Sequence, residues 1–407
     1  MKILSIETSC DETAVSLVEA TGDFPNAKYQ ILGNALFSQI DIHREYGGVF
    51  PSVAKREHAK TLVPMLKKSQ NANLKSQNYS EEVKNDVRVL LEREVGMYEE
   101  LIEYVENYEK PAIDLIAVTA GPGLEPTLWV GINFAKALAL LWNVPVVPVN
   151  HMEGHILASI FKTNDDKSGN TLHSNGGLAD LQFPSLALLI SGGHTELIKM
   201  NDWPLDVARS KQHYEKIGQT RDDAVGEAFD KVARLLGLPY PGGPEISRAA
   251  GEARSANLPE FHKLPRPMLD SDDLDFSFSG LKTAVRYAIE GKELSEEDKQ
   301  AVARDFEDAV VEVLLKKAER AVNKYDIRSL ILGGGVSANR QIRDTFASFF
   351  ASEHPELNLY LPDLKLSTDN SIMIALAGHA RSSKALAPTI EALSPLVASG
   401  NRSLSEE

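Results

Sequence analysis

The chain has 407 residues, 43% hydrophobic and 25% charged, which is enough for a large core and two domains. Its net charge of −15 excludes a general nucleic-acid coat, though not a local basic patch. The single cysteine, Cys10, excludes a disulfide framework and suits a reducing compartment, the cytoplasm, and no stretch reaches membrane-spanning length.

The chain begins directly on a strand, so no signal or transit segment is expected before it. Residues 3–6 and 14–18 are apolar arms around Glu7-Thr8-Ser9-Cys10-Asp11-Glu12-Thr13. This predicts a hairpin whose polar turn offers hydroxyls and backbone N–H groups to a ligand. A third strand covers 29–38. The turn-rich stretch from His43 to Pro51 follows, and Pro51-Ser52 opens a helix to about residue 68, with Arg56 and His58 expected on its solvated face. Residues 71–79 read as polar loop. Between 81 and 110, Val83, Val87, Leu90, Leu91, Val95, Tyr98, Leu101, Ile102 and Val105 recur at helical spacing on an acidic surface, predicting one or two amphipathic helices without catalytic residues.

Residues 113–119 form a buried strand ending at Ala120-Gly121-Pro122-Gly123-Leu124, whose glycines suggest a close backbone approach. An apolar helix covers 129–142. The strand 144–149 then leads into Asn150-His151-Met152-Glu153-Gly154-His155 at the start of a helix. Residues 162–180 read as a surface loop. A second strand, turn and strand follow: 185–190, Ser191-Gly192-Gly193-His194, and 195–200. Two hairpins of one design suggest two related lobes with a ligand in the cleft between them.

Asp222-Asp223 is expected to cap a helix over 224–236, which carries Asp230 and stops at Gly237. Beyond Pro239-Tyr240-Pro241-Gly242-Gly243-Pro244 come a helix over 245–256, an irregular stretch to 275, and Phe276-Ser277-Phe278-Ser279-Gly280-Leu281-Lys282 leading into another helix. A long amphipathic helix over 295–324 is opened by Ser295. Strand 328–332, the turn Gly333-Gly334-Gly335 and a helix to about 350 have the geometry that cradles a phosphate or nucleoside, yet match neither a P-loop nor GxGxxG. After a last strand at 359–361, Ser367-Thr368-Asp369-Asn370 caps a helix over 372–381. The Ser- and Ala-rich 386–407 is expected to be a flexible tail.

On a helix, His151 and His155 lie one turn apart on one face, the spacing at which two imidazoles share a metal ion. A zinc protease needs its base directly after the first histidine, where Met152 stands. Glu153 lies about 200° around the helix from His151, which disfavours the protease reading. A third ligand must come from elsewhere, and spacing alone does not select Asp369. The two polar turns and the glycine turn together match the α/β, two-lobed actin/Hsp70/sugar-kinase-like (ASKHA) architecture, with phosphates between the hairpins.

Taken together these motifs resemble the TsaD family, also called Gcp or Kae, in its bacterial type: tRNA threonylcarbamoyladenosine transferases. Tyr46-Gly47-Gly48-Val49, Gly226-Glu227-Ala228-Phe229-Asp230-Lys231 and Gly334-Gly335-Val336-Ser337-Ala338-Asn339 belong to the same resemblance. It implies transfer of a threonylcarbamoyl group from threonylcarbamoyl-AMP to the exocyclic amine of the adenosine 3′-adjacent to the anticodon, in tRNAs reading codons that begin with A. It implies one divalent metal per subunit, Fe2+ or Zn2+, on His151, His155 and Asp369. The nucleotide would contact Leu189, Ile190, Ser191, Gly192, Gly193, Asp230, Gly243 and Asn339. No side-chain nucleophile is implied, so Cys10 is expected to be structural. The implied partners are tRNA, a paralogous TsaB-like protein and a TsaE-like ATPase, with no membrane. The implied lobes are 1–140, completed by a helix near 370–385, and 141–369, with a helical insertion over 71–110. The chain departs from the family at Pro51-Ser52-Val53-Ala54, at Glu125-Pro126 and at Ser247. Lys55, Arg56, Lys60, Lys263, Arg266, Lys282 and Arg286 are candidates for a local basic patch. A small-molecule kinase of the same fold, which would not need the histidine pair, and a non-catalytic scaffold paralogue, which would generally lose it, are the competing readings.

Overall fold

The computed structural model describes residues 1–70, 72–163, 175–203 and 213–406. Two sheets organise them. In the first, β1 (Lys2–Glu7) pairs antiparallel with β2 (Glu12–Thr21), which pairs antiparallel with β3 (Lys28–Ser38). On the other side of β1, β4 (Leu115–Gly121) and then β5 (Val146–Asn150) run parallel to it. Every residue of β4 is buried, as expected of a parallel strand covered on both faces. Two short strands, β6 (Phe161–Thr163) and β7 (Asn175–Leu178), extend the sheet beyond β3. The second sheet has the order β10-β9-β8-β11-β12, with β8 (Ser185–Ile190) and β9 (Thr195–Met200) as its hairpin. Strand β10 (Tyr214–Gln219) adds to β9, while β11 (Ser329–Gly333) and β12 (Asn358–Tyr360) add in parallel beside β8.

Helices form three layers around these sheets. After the short α1 (Ile40–Arg44), α2 (Pro51–Lys68), α3 (Glu81–Leu90), α4 (Met97–Asn107) and α5 (Glu125–Trp142) pack on the outer face of the first sheet. The predicted helical pair of 81–110 is thus α3 and α4, which bury Val87, Leu101 and Val105. Pro126 sits in the first turn of α5, where its missing N–H costs nothing. Between the sheets lie α6 (His151–Ile160) and α12 (Ser371–Ala380), in one core with Val149 of the first sheet and Leu189 and Ile331 of the second. All of α6 is buried, which explains why its sequence is apolar around most of its circumference. On the far face of the second sheet, α7 (Val225–Leu235), α8 (Gly242–Ser255), α9 (Ser279–Ile289), α10 (Glu296–Tyr325) and α11 (Arg340–Glu353) enclose Phe229, Phe306 and Phe346. Ser295 and Asp298 form the capping box of α10.

Several expectations change. The first sheet runs on past residue 140 through β5, β6 and β7, so the change of sheet falls between Leu178 and Ser185. The surface loop over 162–180 shrinks to its middle: β6 and β7 pair with each other, and 164–174 lie outside the described residues. The segment after 386 is anchored rather than loose. Leu386 exchanges backbone hydrogen bonds with Val146 (3.0 and 2.7 Å), Ser399 N donates to Ala120 O (2.9 Å), and Gly123 N donates to Gly400 O (3.1 Å). The short α13 (Ile390–Leu393) lies in this strap, and Leu393, Leu396 and Leu404 are buried by it. Asp222 does not cap α7. Its Oδ1 accepts from Phe278 N (2.8 Å) and Ser279 N (3.2 Å), so it stabilises the start of α9 instead. His58 leaves the solvated face predicted for it and is fully buried, whereas Arg56 is exposed.

Candidate metal centre and ligand cleft

Strand β5 ends at Asn150, whose Oδ1 accepts from Met152 N (2.9 Å) and starts α6 at once. That places His151 at the first helical position and His155 one turn on. Their Nε2 atoms are 3.2 Å apart. Asn370 caps α12 in the same way, through Met373 N (3.0 Å), and delivers Asp369 from the preceding turn. Asp369 Oδ1 lies 3.1 Å from His155 Nε2 and 3.3 Å from His151 Nε2. Donor atoms around one ion at about 2.1 Å sit roughly 3.0 to 3.4 Å from one another, between right-angle and tetrahedral geometry. The three separations fall inside that interval, and this is the metal-capable cluster among the described residues.

The fit extends behind the ligands. His151 Nδ1 lies 3.1 Å from Glu7 Oε2, and a carboxylate there can only accept, so Nδ1 carries a hydrogen and Nε2 is the atom turned toward Asp369. Thr119 Oγ1 donates to the same oxygen (2.6 Å) and Ser9 N to Oε1 of Glu7. Burial works against every charge here. It would raise the Glu7 carboxyl, but adjacent His151 holds it below the usual range. It would raise Asp369 too, yet the two imidazoles hold it far below. Burial would depress His151, but the Asp369 and Glu7 carboxylates lift it well above its usual value. His155 stays depressed by burial. Two carboxylates facing one imidazolium leave the pocket with an excess negative charge, which suits a cation.

Glu153 is committed elsewhere. It is buried, receives Arg381 Nε and Nη2 at 2.9 to 3.1 Å, and accepts from Tyr214 OH (2.9 Å). It serves as the buried partner of Arg381 and not as a protease base.

The residues expected to meet a nucleotide gather at the ends of β8 and β11. Leu189 and Ile190 are buried at the end of β8. Ser191 Oγ accepts from His194 N (3.1 Å) and Ser191 O from Gly226 N (3.1 Å). At Gly226 a Cβ would meet that carbonyl oxygen at 2.7 Å, so packing demands glycine. At Gly192, Gly193, Gly243 and Gly335 a Cβ would meet nothing within 4 Å. The fold leaves open space at these four positions, as a ligand wall requires. Two of the expected residues are engaged by the framework. Asp230 Oδ1 accepts from Gly242 N (2.7 Å), bracing the loop that presents Gly243. Asn339 Oδ1 accepts from Ile342 N (3.0 Å) to cap α11, while its Nδ2 donates to Glu307 Oε1 (2.7 Å).

The lobes meet at the rim, where Arg44 Nε donates to Tyr240 O (3.1 Å) and Arg234 to Gly47 O. Burial, reinforced by Asp11 and Asp369, pushes the Cys10 thiol well up, which keeps it protonated and unreactive. Of the candidate basic residues, Lys60 and Arg266 are paired with Glu57 (2.6 Å) and Glu312 (2.7 Å). Sequence reasoning missed Glu7, Ser9 and Thr119 behind the candidate ligands. The available signal was a carboxylate ending an otherwise apolar strand.

The chain matches the family model described as TsaD: tRNA N6-adenosine threonylcarbamoyltransferase over residues 30–80 and 90–376, a match that omits most of α3. It is 40% identical over 384 residues to the tRNA N6-adenosine threonylcarbamoyltransferase of Paraburkholderia xenovorans, covering 94% of this chain and 92% of that one. It is 40% identical over 389 residues to the protein of that name from Burkholderia lata, with the same coverage. It is also similar to the activator of the 2-hydroxyisocaproyl-CoA dehydratase from Clostridium difficile with bound ADPNP, at 10% identity and a TM-score of 0.43 over 94% of this chain and 97% of that one. With the family model spanning most of its length, the chain belongs to the tRNA N6-adenosine threonylcarbamoyltransferase family.

Proposed function

We propose that this protein transfers the threonylcarbamoyl group of threonylcarbamoyl-AMP to the exocyclic amine of the adenosine 3′-adjacent to the anticodon, in tRNAs reading codons that begin with A. The observation that carries the reading is the buried trio of His151, His155 and Asp369, backed by Glu7, in a chain of this family. These three residues hold the divalent cation, Fe2+ or Zn2+, whose bound form supplies Lewis acidity toward the carbamoyl oxygen. Glu7 keeps the His151 Nδ1–H pinned so that Nε2 presents its lone pair. The open glycines let the adenylate lie against the backbone of residues 189–193 and Gly243. Asp230 and Asn339 hold the surrounding loop and helix in place. In the transfer the amine nitrogen bonds the carbamoyl carbon, the bond from that carbon to the phosphate oxygen breaks, AMP leaves with the electron pair, and the amine sheds one proton.

The partners in this reading are a paralogous TsaB-like protein and a TsaE-like ATPase, in the cytoplasm. The test is transfer from synthetic threonylcarbamoyl-AMP to tRNA, with elemental analysis of the same preparation. Transfer that disappears together with bound metal in the His151→Ala/His155→Ala double variant is the expected result. No transfer with the partner proteins supplied would sink the reading.

A further inference from the structure

The turn of the first hairpin is held by its carbonyls. Ser9 O accepts from Leu124 N (2.7 Å), at the start of α5. Asp11 O accepts from Gln39 N (3.0 Å), just past β3. Between them, Cys10 O accepts from His58 Nε2 (3.0 Å), on α2. Three consecutive carbonyls are drawn into the first lobe by three different elements. In a trans peptide the C=O of one residue and the N–H of the next point in opposite directions. The N–H groups of Cys10 and Asp11 therefore point away from α5 and α2. Across the rim, where Arg44 Nε meets Tyr240 O (3.1 Å), Tyr240 and Asp230 of the second lobe both feel the charge of Asp11.

Thr127 Oγ1 also reaches Ser9 O (3.2 Å), but only a side chain, His58, holds the Cys10 carbonyl. The carbonyl of Cys10 can only accept, so His58 carries its hydrogen on Nε2. Thr13 Oγ1 lies 2.7 Å from Nδ1 and donates to it, while Thr61 Oγ1 lies 2.9 Å from Thr13 Oγ1 and 2.7 Å from Glu57 O. The Cys10 carbonyl thus sets the tautomer, and the Thr13 hydroxyl satisfies the nitrogen left without a hydrogen. The ring is fully buried, and burial pushes the imidazole down to about 4, so it is neutral at physiological pH.

We infer that His58 is a positioning residue for the reaction: its Nε2–H locks the Cys10–Asp11 peptide so that the Asp11 N–H faces the cleft as a donor to the ligand's phosphate. A flipped peptide would present the Cys10 carbonyl oxygen there, an acceptor turned toward an anion. This rests on the transferase reading, which names the ligand, but His58 touches neither ligand nor metal trio.

The test compares four variants in the full-length protein: His58→Phe, which keeps the ring shape and removes both nitrogens; His58→Gln, which returns a donor near Nε2; Thr13→Val, which removes the hydroxyl that partners Nδ1; and Leu62→Ala, which loosens the same helix one turn away. We expect His58→Phe to raise the KM for threonylcarbamoyl-AMP by about 10- to 100-fold with metal content unchanged. His58→Gln should recover most of that loss, and Thr13→Val should give a smaller rise. Leu62→Ala should lower the melting temperature and leave KM within about twofold of the parent. A His58→Phe protein, or a Thr13→Val protein if the first does not fold, whose KM stays within about twofold of the parent overturns the inference. A Leu62→Ala variant with the same KM rise also overturns it. Calorimetric titration with AMP reads the same effect without turnover. Loss of transfer in the parent with His58-dependent AMP binding would refute only the transferase reading. Unchanged AMP affinity in His58→Phe would refute only the role of His58.

Discussion

The two hairpins occupy matching places in their sheets, yet their turns are built on opposite principles. The first turn, between β1 and β2, has its carbonyls drawn inward by α5, α2 and the end of β3, and Ser9 reaches Asp369 at 3.5 Å. The second, between β8 and β9, closes on itself through Ser191 and His194 and leaves Gly192 and Gly193 exposed. One turn is fixed from outside and continuous with the metal pocket. The other bonds within itself, rests on Gly226 of α7, and has free space only around Gly192 and Gly193. On the proposed reading, a fixed donor on one side and an open backbone wall on the other divide the work of holding a charged group and accepting its bulk.

Variants can break this contrast in order of effect. Replacing a ligand directly, as in His155→Ala or Asp369→Asn, should cost more metal affinity than any change behind it, beyond about 100-fold in a chelator competition. Glu7→Gln, at the back of the first turn, should cost about 10- to 100-fold in the same assay. Retention of full metal affinity by Glu7→Gln would detach the first turn from the metal pocket.

The next effect is in acid. Folding holds His58 below its usual value, so the unfolded chain binds that proton more readily. Its contribution is complete above about pH 6.5, is lost as pH falls toward about 4, and amounts to about 3 kcal/mol. Glu7, His43 and Glu57, which influence the ring, are present in both the parent and His58→Gln. The difference between their urea-unfolding curves across pH isolates His58, and parallel curves would contradict its buried, neutral state.

Glycine replacements give the smaller effects. Gly123 has φ +155°, and a Cβ there would meet Ser9 O at 2.7 Å. Gly123→Ala should therefore destabilise the protein by about 1–3 kcal/mol, read as a lower urea midpoint. Gly193→Ala, with nothing within 4 Å, should change stability by less than about 0.5 kcal/mol while raising the KM for the adenylate. Equal destabilisation by both would erase the distinction between the turns.

What the sequence revealed follows the range of the interactions. The histidine pair was legible because a spacing of four fixes a helix face by itself. Asp369 sits 214 residues beyond His155, and only a family resemblance could bring it to them. Glu7 looked like part of a polar turn because its partners, Thr119 and His151, are 112 and 144 residues away. Asp222 was assigned to the nearest helix, but its acceptors serve backbone N–H groups 56 and 57 residues on. His58 was misjudged for a different reason. Its neighbours Arg56, Glu57 and Lys60 argued for solvent, yet Ala54, His58, Leu62 and Leu66 form one buried stripe at intervals of four. A periodicity reading that tolerated one polar residue in the stripe would have turned it inward. The strap after residue 386 was obscured likewise, its three buried leucines scattered among serine and alanine.

That long reach between His155 and Asp369 also sets a timetable. A ribosome adding about 5–20 residues per second needs roughly ten to forty seconds to travel from one to the other. During that interval the nascent chain carries two imidazoles without their carboxylate, and the strap that ties Ala120 and Gly123 to Ser399 and Gly400 is still unmade. A two-imidazole site lacks the charge that distinguishes the finished pocket. On the proposed reading, an ion meets its full ligand set only after residue 369 has been added.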